Sequence, residues 1–310
     1  MSILTPRDVP LGGLRAMTVR RTLPNRHRTT IGAWCFVDHF GPDLVEHSGG
    51  MHVAPHPHTG LQTVTWLFEG EVEHHDSVGS SQLVSPGQVN LMTAGAGISH
   101  SEVSTSTTSR LHGVQLWVAL PDEHRFIAPF FEHHVSPRMT IGPAQFTVFV
   151  GSLTGEDVTA TSTATTFTGL VAAEILIPEK TTIAIPVDHS YEHGFLIDSG
   201  ELTVNDEQAL KDELAYVEPG HTSITIATGD VPSRVLMIGG EPFEEELVMW
   251  WNFIGRSHEE IVQMRQQWQS NVVEGSNPDG VFGTVAYEGP VIPAPEMPHV
   301  HLRPRKLPRP

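Results

Sequence analysis

Residues 55–60 read PHPHTG and residues 96–103 read AGISHSEV. Each stretch carries two metal-binding side chains at positions i and i+2: His56 and His58, then His100 and Glu102. Alternate side chains of a strand share a face, so each pair projects together from extended backbone. Pro55 and Pro57 favour that extended backbone and argue against a central ladder position, which places the first pair on an edge strand. Three imidazoles and one carboxylate leave one or two positions open on a five- or six-coordinate ion, a set suited to a first-row divalent metal. A closed structural zinc site would draw on cysteines. The chain has one, Cys35, inside the apolar run GAWCFVDHF, where it reads as a core residue. Either pair alone is a weak signal, because lone histidines usually make ordinary hydrogen bonds. Both pairs in one β unit point to an open, iron-type site.

Such a site needs strands to bring the two pairs together. LQTVTWLFEGEVEHHD mixes β-branched and aromatic residues with polar ones and turns at Glu69-Gly70, and QLVSPGQVNLMTAG reads as a strand pair around Pro86-Gly87. Short strands with Gly/Pro punctuation predict an all-β barrel or sandwich. The plan then returns in HGFLIDSGELTVND and AYVEPGHTSITIATG. The glycine offsets agree: 200 − 70 = 130 and 220 − 87 = 133 residues. A nearly constant offset argues for a duplicated domain. The boundary is expected in the Ser/Thr/Gly-rich stretch at 152–166. The units are then 1–155 with the metal, 165–250 without it, and 251–310 as a helix and Pro-rich tail packing on the barrels. SHEEIVQMRQQWQ predicts that helix, with Ser257 as N-cap, Glu260 completing a capping box, and Ile261, Met264 and Trp268 on one buried face. A second His-x-His, His299 and His301, lies in the tail with no acidic partner.

Composition narrows the function classes. With 310 residues, 39% hydrophobic and 17% charged, the chain suits a soluble globular protein of about two domains. The net charge is −18, from 18 Lys+Arg against 36 Asp+Glu. Basic residues gather at the ends: Arg7, Arg15, Arg20, Arg21, Arg26 and Arg28 in the first 28 residues, and Arg303, Arg305, Lys306 and Arg309 in the last eight. The acidic body offers no basic face for direct nucleic-acid binding, and the basic ends are expected to lie along it. No apolar run approaches the roughly 20 residues of a membrane span, and the N-terminus lacks the apolar stretch of a signal peptide. The expectation is a cytoplasmic monomer with no membrane contact.

HPHTGLQTVTWLFEGEVEHHDS, SPGQVNLMTAGAGISHSE, RRTLPNRHRTTIGAWCFVDHFGP, LHGVQLWVALP and GGEPFEEELVMWWNF together resemble the pirin family, a branch of the cupin superfamily. The resemblance covers most of the chain. It implies two tandem cupin (jelly-roll) β-barrels with a short C-terminal helix and an irregular tail. It also implies one mononuclear Fe(II) in the N-terminal barrel, held by His56, His58, His100 and Glu102, with other divalent first-row metals as substitutes. Members of the family resemble quercetinases, which cleave flavonols oxidatively. In that reading the partners are a small aromatic substrate and dioxygen, and Glu102 is both ligand and catalytic base for the flavonol hydroxyl. Gln62, Thr63 and His74 are candidate partners for the free nitrogens of the three histidines. The alternative the resemblance carries is an iron-dependent regulatory protein acting through a protein partner. Two departures, Gln62 where many relatives have glutamate and Ala96 for a commonly basic residue, bear on substrate preference.

The second barrel can be tested by counting. The offsets of the first site lead to Pro186, Asp188, Arg234 and Leu236, which cannot rebuild the ligand set. His189 and His193 lie close by but lack a second pair, so no metal is expected there.

Overall fold

The computed structural model describes residues 1–11, 17–155 and 158–304. Four antiparallel sheets stack as two sandwiches. The first sandwich pairs a seven-stranded sheet with a four-stranded one. The large sheet runs Phe130–Val135, Gln88–Thr93, Leu61–Glu69, Arg110–Ala119, Trp34–Leu44, Met17–Leu23 and Arg7–Leu11. The small sheet runs His52–His58, Ile98–Ser104, Val72–Asp76 and Ser81–Val84. In the second sandwich, an eight-stranded sheet built around Leu170–Ile177, Glu192–Ser199 and Ser233–Gly240 faces the small sheet of Thr182–Pro186, Ser223–Thr228, Leu202–Val204 and Glu207–Ala209.

Burial explains why the large sheets read as nearly unbroken apolar runs. Leu61–Phe68 is buried at every position, as a strand covered on both faces must be. Its inner face looks into the first sandwich, while Val64 and Trp66 join a core with Phe149, Ala172, Leu196, Leu236 and Ile238 of the second. The two large sheets therefore pack back to back. Trp66 stacks on Phe149 with ring centroids 4.5 Å apart. Cys35 is wholly buried in that interface, and burial pushes its thiol pKa far up.

The duplicated glycines serve the same purpose in both halves. Gly70 and Gly200 have φ +90° and +78°, and Gly87 and Gly220 have +85° and +105°, backbone that a side chain would strain. These turns carry the chain between sheets. Ser81–Val84 pairs with Val72–Asp76, and Gln88–Thr93 with Leu61–Glu69, so the two strands flanking Pro86-Gly87 do not pair with each other.

Sheet membership also moves the expected boundary. Arg138–Ile141 and Ala144–Thr154 belong to the second large sheet, with Phe146 and Val148 in its core. The first unit thus ends before residue 138 rather than at 155. The Ser/Thr-rich stretch that read as a linker is a hairpin, Ala144–Thr154 with Thr159–Thr161. The N-terminal strand Ser2–Leu4 crosses over as well and pairs with Leu214–Val217. Arg20 and Arg28 lie against the acidic second half, pairing with Asp212 at 2.9 Å and Glu192 at 3.1 Å. Arg15, Arg305, Lys306 and Arg309 lie outside the described residues.

The helix His258–Trp268 starts at Ser257, whose hydroxyl accepts from Glu260 N–H, and buries Ile261, Met264 and Trp268. The Pro-rich tail that follows is pinned by its backbone. Trp268 Nε1 donates to Ile292 O at 2.9 Å, and Ile292 N–H donates to Pro55 O at 2.8 Å. The edge strand made by Pro55 and Pro57 is thereby covered. No helix among the described residues is long and apolar enough to cross a membrane.

Candidate metal centre

His52–His58 and Ile98–Ser104 are adjacent antiparallel strands, with His56 opposite His100 and a bulge between His100 and Glu102. On the other side of Ile98–Ser104, His74 stands opposite Glu102 and Asp76 opposite His100. The i, i+2 alternation turns His56, His58, His74, His100 and Glu102 toward the interior, and all are buried. Ligand atoms of His56, His58 and His100 lie within 4.8 Å of one another, as do those of His74, His100 and Glu102. His58 Nε2 and His100 Nε2 are 3.1 Å apart, the spacing of neighbouring ligands about 2.1–2.2 Å from a shared ion.

The hydrogen bonds behind the cluster decide which nitrogens are free. Asp76 Oδ1 accepts from the backbone N–H groups of Val78 and Ser80 at 3.0 and 2.9 Å. Its Oδ2 lies 3.0 Å from His74 Nε2, so that nitrogen carries the proton. Burial pushes Asp76 up, but the bonds from His74 and Ser80 outweigh it and hold the carboxyl below its usual range. His74 Nδ1 is then an acceptor, and His100 Nδ1–H donates to it across 3.3 Å. His100 Nε2 is left bare, facing His58. His56 Nδ1 donates to Ala54 O at 2.9 Å, which frees its Nε2 in the same way. Such outer partners set ligand tautomer and basicity in metal sites.

Burial supplies the rest. It lowers the His56 pKa to about 4, and lowers His58 and His100 well below the ordinary histidine value with help from their neighbouring rings. All three are neutral donors at pH 7. Burial raises Glu102, against the opposing pull of His74 and a hydrogen bond from Thr65 Oγ1 to Oε1 at 3.0 Å. Three neutral imidazoles and a carboxylate with no cationic side chain among them fit a divalent ion.

Two of the three residues proposed from sequence to support the ligands stand differently. His74 does touch His100. Gln62 faces away: its amide donates to Thr93 Oγ1 and Thr165 O at 2.8 and 3.0 Å. The reason is the two-residue period of Leu61–Glu69, which turns Thr63 and Thr65 inward and Gln62 toward the second sandwich. Thr63 is buried on the inner side but has no side-chain hydrogen bond among those described. Sequence reasoning missed Thr65 and Asp76. The His74-x-Asp76 spacing was a usable signal for the second.

Above the cluster lies a cavity of about 480 Å³. Phe36 and Trp117 stack with centroids 4.0 Å apart, and His58 meets the edge of Trp117 at 5.1 Å. Arg21 sits 4.1 Å over Phe36 and pairs with Asp38 through two bonds of 2.6 and 2.7 Å. Trp251 and Asn252, in the turn between Val248–Trp250 and Phe253–Gly255, form part of the wall, as do Ile292, Pro293 and Pro295 of the tail. Trp251 has φ +52°, a costly conformation for a bulky residue, held here at the edge of a site.

Residues 15–118 match the pirin family, and residues 172–274 match the pirin C-terminal cupin domain. The chain belongs to the pirin family. It is 42% identical to a Pseudomonas aeruginosa protein named as a candidate quercetin 2,3-dioxygenase, over 95% of this chain and 90% of that one. It is 33% identical to a pirin-like protein of Caulobacter vibrioides, over 90% and 94%. Among solved structures, a quercetin 2,3-dioxygenase of Acinetobacter baumannii superposes with a TM-score of 0.89 at 37% identity, covering 99% of this chain and 98% of that one. The fold is thus that of a pirin with two cupin domains, and the histidine cluster lies in the N-terminal one.

Proposed function

We propose that this pirin is an Fe(II)-dependent dioxygenase that opens the heterocycle of quercetin-like flavonols. The observation that carries the reading is one cavity lined by His56, His58, His100 and Glu102 and walled by Phe36, Trp117 and Trp251, with ligand atoms of the three histidines within 4.8 Å of one another and that of Glu102 as close to those of His74 and His100. Iron bound by His56, His58, His100 and Glu102 would supply open coordination positions and redox chemistry with dioxygen. The chain's own part is binding and proton handling. A flat aromatic substrate fits between the Phe36–Trp117 stack and the apolar side made by Met51, Val53 and Pro293. Glu102 lines that cavity and takes the flavonol hydroxyl proton at Oε1 or Oε2. Thr65 Oγ1 holds that carboxylate in place. The aromatic wall and the tail keep bulk water from the reacting carbons.

The likeness to the Acinetobacter and Pseudomonas proteins supports the reaction class. The test is anaerobic reconstitution with Fe(II), followed by oxygen and quercetin. Flavonol absorbance should fall with the native chain and stay level with Glu102→Ala. Equal, background-level loss in both would overturn the enzyme reading.

A further inference from the structure

The second sandwich holds a cavity of about 530 Å³, separate from the metal centre. It lies where the duplication would put a site. Pro186 and Asp188 line it, and they stand at the duplication offset from His56 and His58: 186 − 56 = 130 and 188 − 58 = 130. The metal ligands are gone from these positions, yet the space has not closed. Two glycines keep it open. A Cβ on Gly239 would come within 2.7 Å of His193 Cδ2, and one on Gly169 within 2.5 Å of the Tyr191 hydroxyl.

Polar atoms without partners line this space. His193 is 1% exposed. It lies on the inner face of Glu192–Ser199, the side that Phe195 and Ile197 give to the core. Its Nδ1 is enclosed without a hydrogen-bond partner, and its Nε2 has none among the described residues. Thr168, also in the lining, has its Oγ1 buried and unpartnered. Nearly all buried polar groups of folded chains are hydrogen-bonded. Two exceptions in one cavity point to a ligand that completes them.

Charge selects the ligand. No Lys or Arg lines the cavity, so a phosphate or carboxylate would find no counter-charge there. Burial lowers the His193 pKa to about 4, against the pull of Asp188, so the ring is neutral at pH 7 and offers a lone pair. Asp188 Oδ1 accepts from the Ser190 N–H at 2.9 Å and the Ser190 hydroxyl at 2.7 Å. Those bonds hold its carboxyl below the usual range, and they leave Oδ2 free. The Glu241 carboxyl lies beside the Tyr191 hydroxyl, next to Gly169. Lone pairs and negative charge therefore surround an apolar floor of Leu153, Val171 and Met237. A primary ammonium brings three N–H donors and one positive charge, and its carbon body suits the floor. An alcohol of the same size would leave the charge unanswered.

We infer that this cavity of the C-terminal cupin domain is a binding site for a small organic amine. The ammonium group is held by the His193 lone pair, the Thr168 hydroxyl and the Asp188 carboxylate, and the carbon body rests on Leu153, Val171 and Met237.

Three probes of one size and different charge test it: cyclohexylamine, cyclohexanol and cyclohexanecarboxylate, titrated at pH 7 into the full chain by calorimetry. Cyclohexylamine should bind once per chain, with a Kd about tenfold or more below that of cyclohexanol, and the carboxylate should not bind. His56→Ala/His58→Ala should bind the amine as the native chain does. Asp188→Asn should raise the Kd by up to about fivefold, the share of a half-exposed ion pair. Thr168→Val and His193→Phe each remove a hydrogen bond to a charged group and should raise it roughly 10- to 150-fold. Melting temperatures report on the fold separately. Thr168→Val deletes a hydroxyl that has no partner in the chain itself, so it should melt no lower than the native chain while losing affinity, which a purely structural hydroxyl would not do. Should His193→Phe fail to fold, Thr168→Val and Asp188→Asn decide. The proposal is overturned by a folded native chain that does not bind the amine, or that binds the alcohol or the carboxylate as tightly. Binding lost in His56→Ala/His58→Ala, or unchanged in both Thr168→Val and Asp188→Asn, also overturns it.

Discussion

Asp76→Asn changes one atom and should weaken metal binding through two intervening histidines. The amide has little choice of orientation. Its carbonyl oxygen must take the place of Asp76 Oδ1, because that position accepts two backbone N–H groups, from Val78 and Ser80. The amide NH₂ then stands where Oδ2 was, 3.0 Å from His74 Nε2, and donates to it. His74 is driven to the Nδ1–H tautomer, and His100 Nδ1 at 3.3 Å must become an acceptor. The proton of His100 moves to Nε2, the nitrogen the ion needs. Metal binding must reverse this, leaving two N–H groups opposed across a buried contact. One buried hydrogen bond left unmade costs about 1–3 kcal/mol, or roughly 5- to 150-fold in affinity. Changes to such outer partners typically cost about 10–100-fold. Competition with a chromophoric chelator for Co(II) or Fe(II) measures the loss, and a thermal melt of the metal-free chain checks the fold. Affinity within about twofold of the native chain, in a folded variant, would refute the relay.

Thr65→Val removes the hydroxyl that holds Glu102 Oε1 and should lower metal affinity roughly 10- to 150-fold in the same competition, from loss of a bond to a charged group worth about 1.5–3 kcal/mol. Trp268→Ala empties a fully buried site and frees Ile292 O. A loss of about 3–5 kcal/mol is expected in denaturant unfolding, with earlier proteolytic cutting in residues 291–295. His193 is buried, which lowers its pKa to about 4, with His221 adding to the shift and Asp188 opposing it. Its ring is neutral in the folded chain where an unfolded one would titrate near 6.5. Its contribution is fully present above pH 6.5 and lost as pH falls toward 4, about 3 kcal/mol in all. His193→Asn should flatten the acid limb of the stability curve across that window, and an unchanged slope would count against it.

Several of these outcomes concern residues that periodicity alone placed well. The i, i+2 pairs His56/His58 and His100/Glu102 were legible because a strand has a period of two, and their prolines marked an edge strand that the structure shows. The duplication was legible because Gly70, Gly87, Gly200 and Gly220 all need φ above zero. The helix from His258 to Trp268 was legible through its N-cap and its apolar stripe. The unit boundary was not. Ser/Thr-rich composition marks a turn as readily as a linker, and the hairpin at 144–161 donates its strand to the other sheet.

What the sequence determined by itself is local: which side chains share a face, where the chain must turn, and that two similar β units follow one another. Which faces meet is settled only by tertiary packing. Gln62 and Thr65 lie three residues apart on one strand, yet the back-to-back stacking of the large sheets sends Gln62 to Thr165 and Thr65 to Glu102. His39 and Asp198 are 159 residues apart and come together for the same reason. Apolar side chains such as Trp66 and Phe149 drive the two sheets into contact, and polar groups on those faces must find partners where they land.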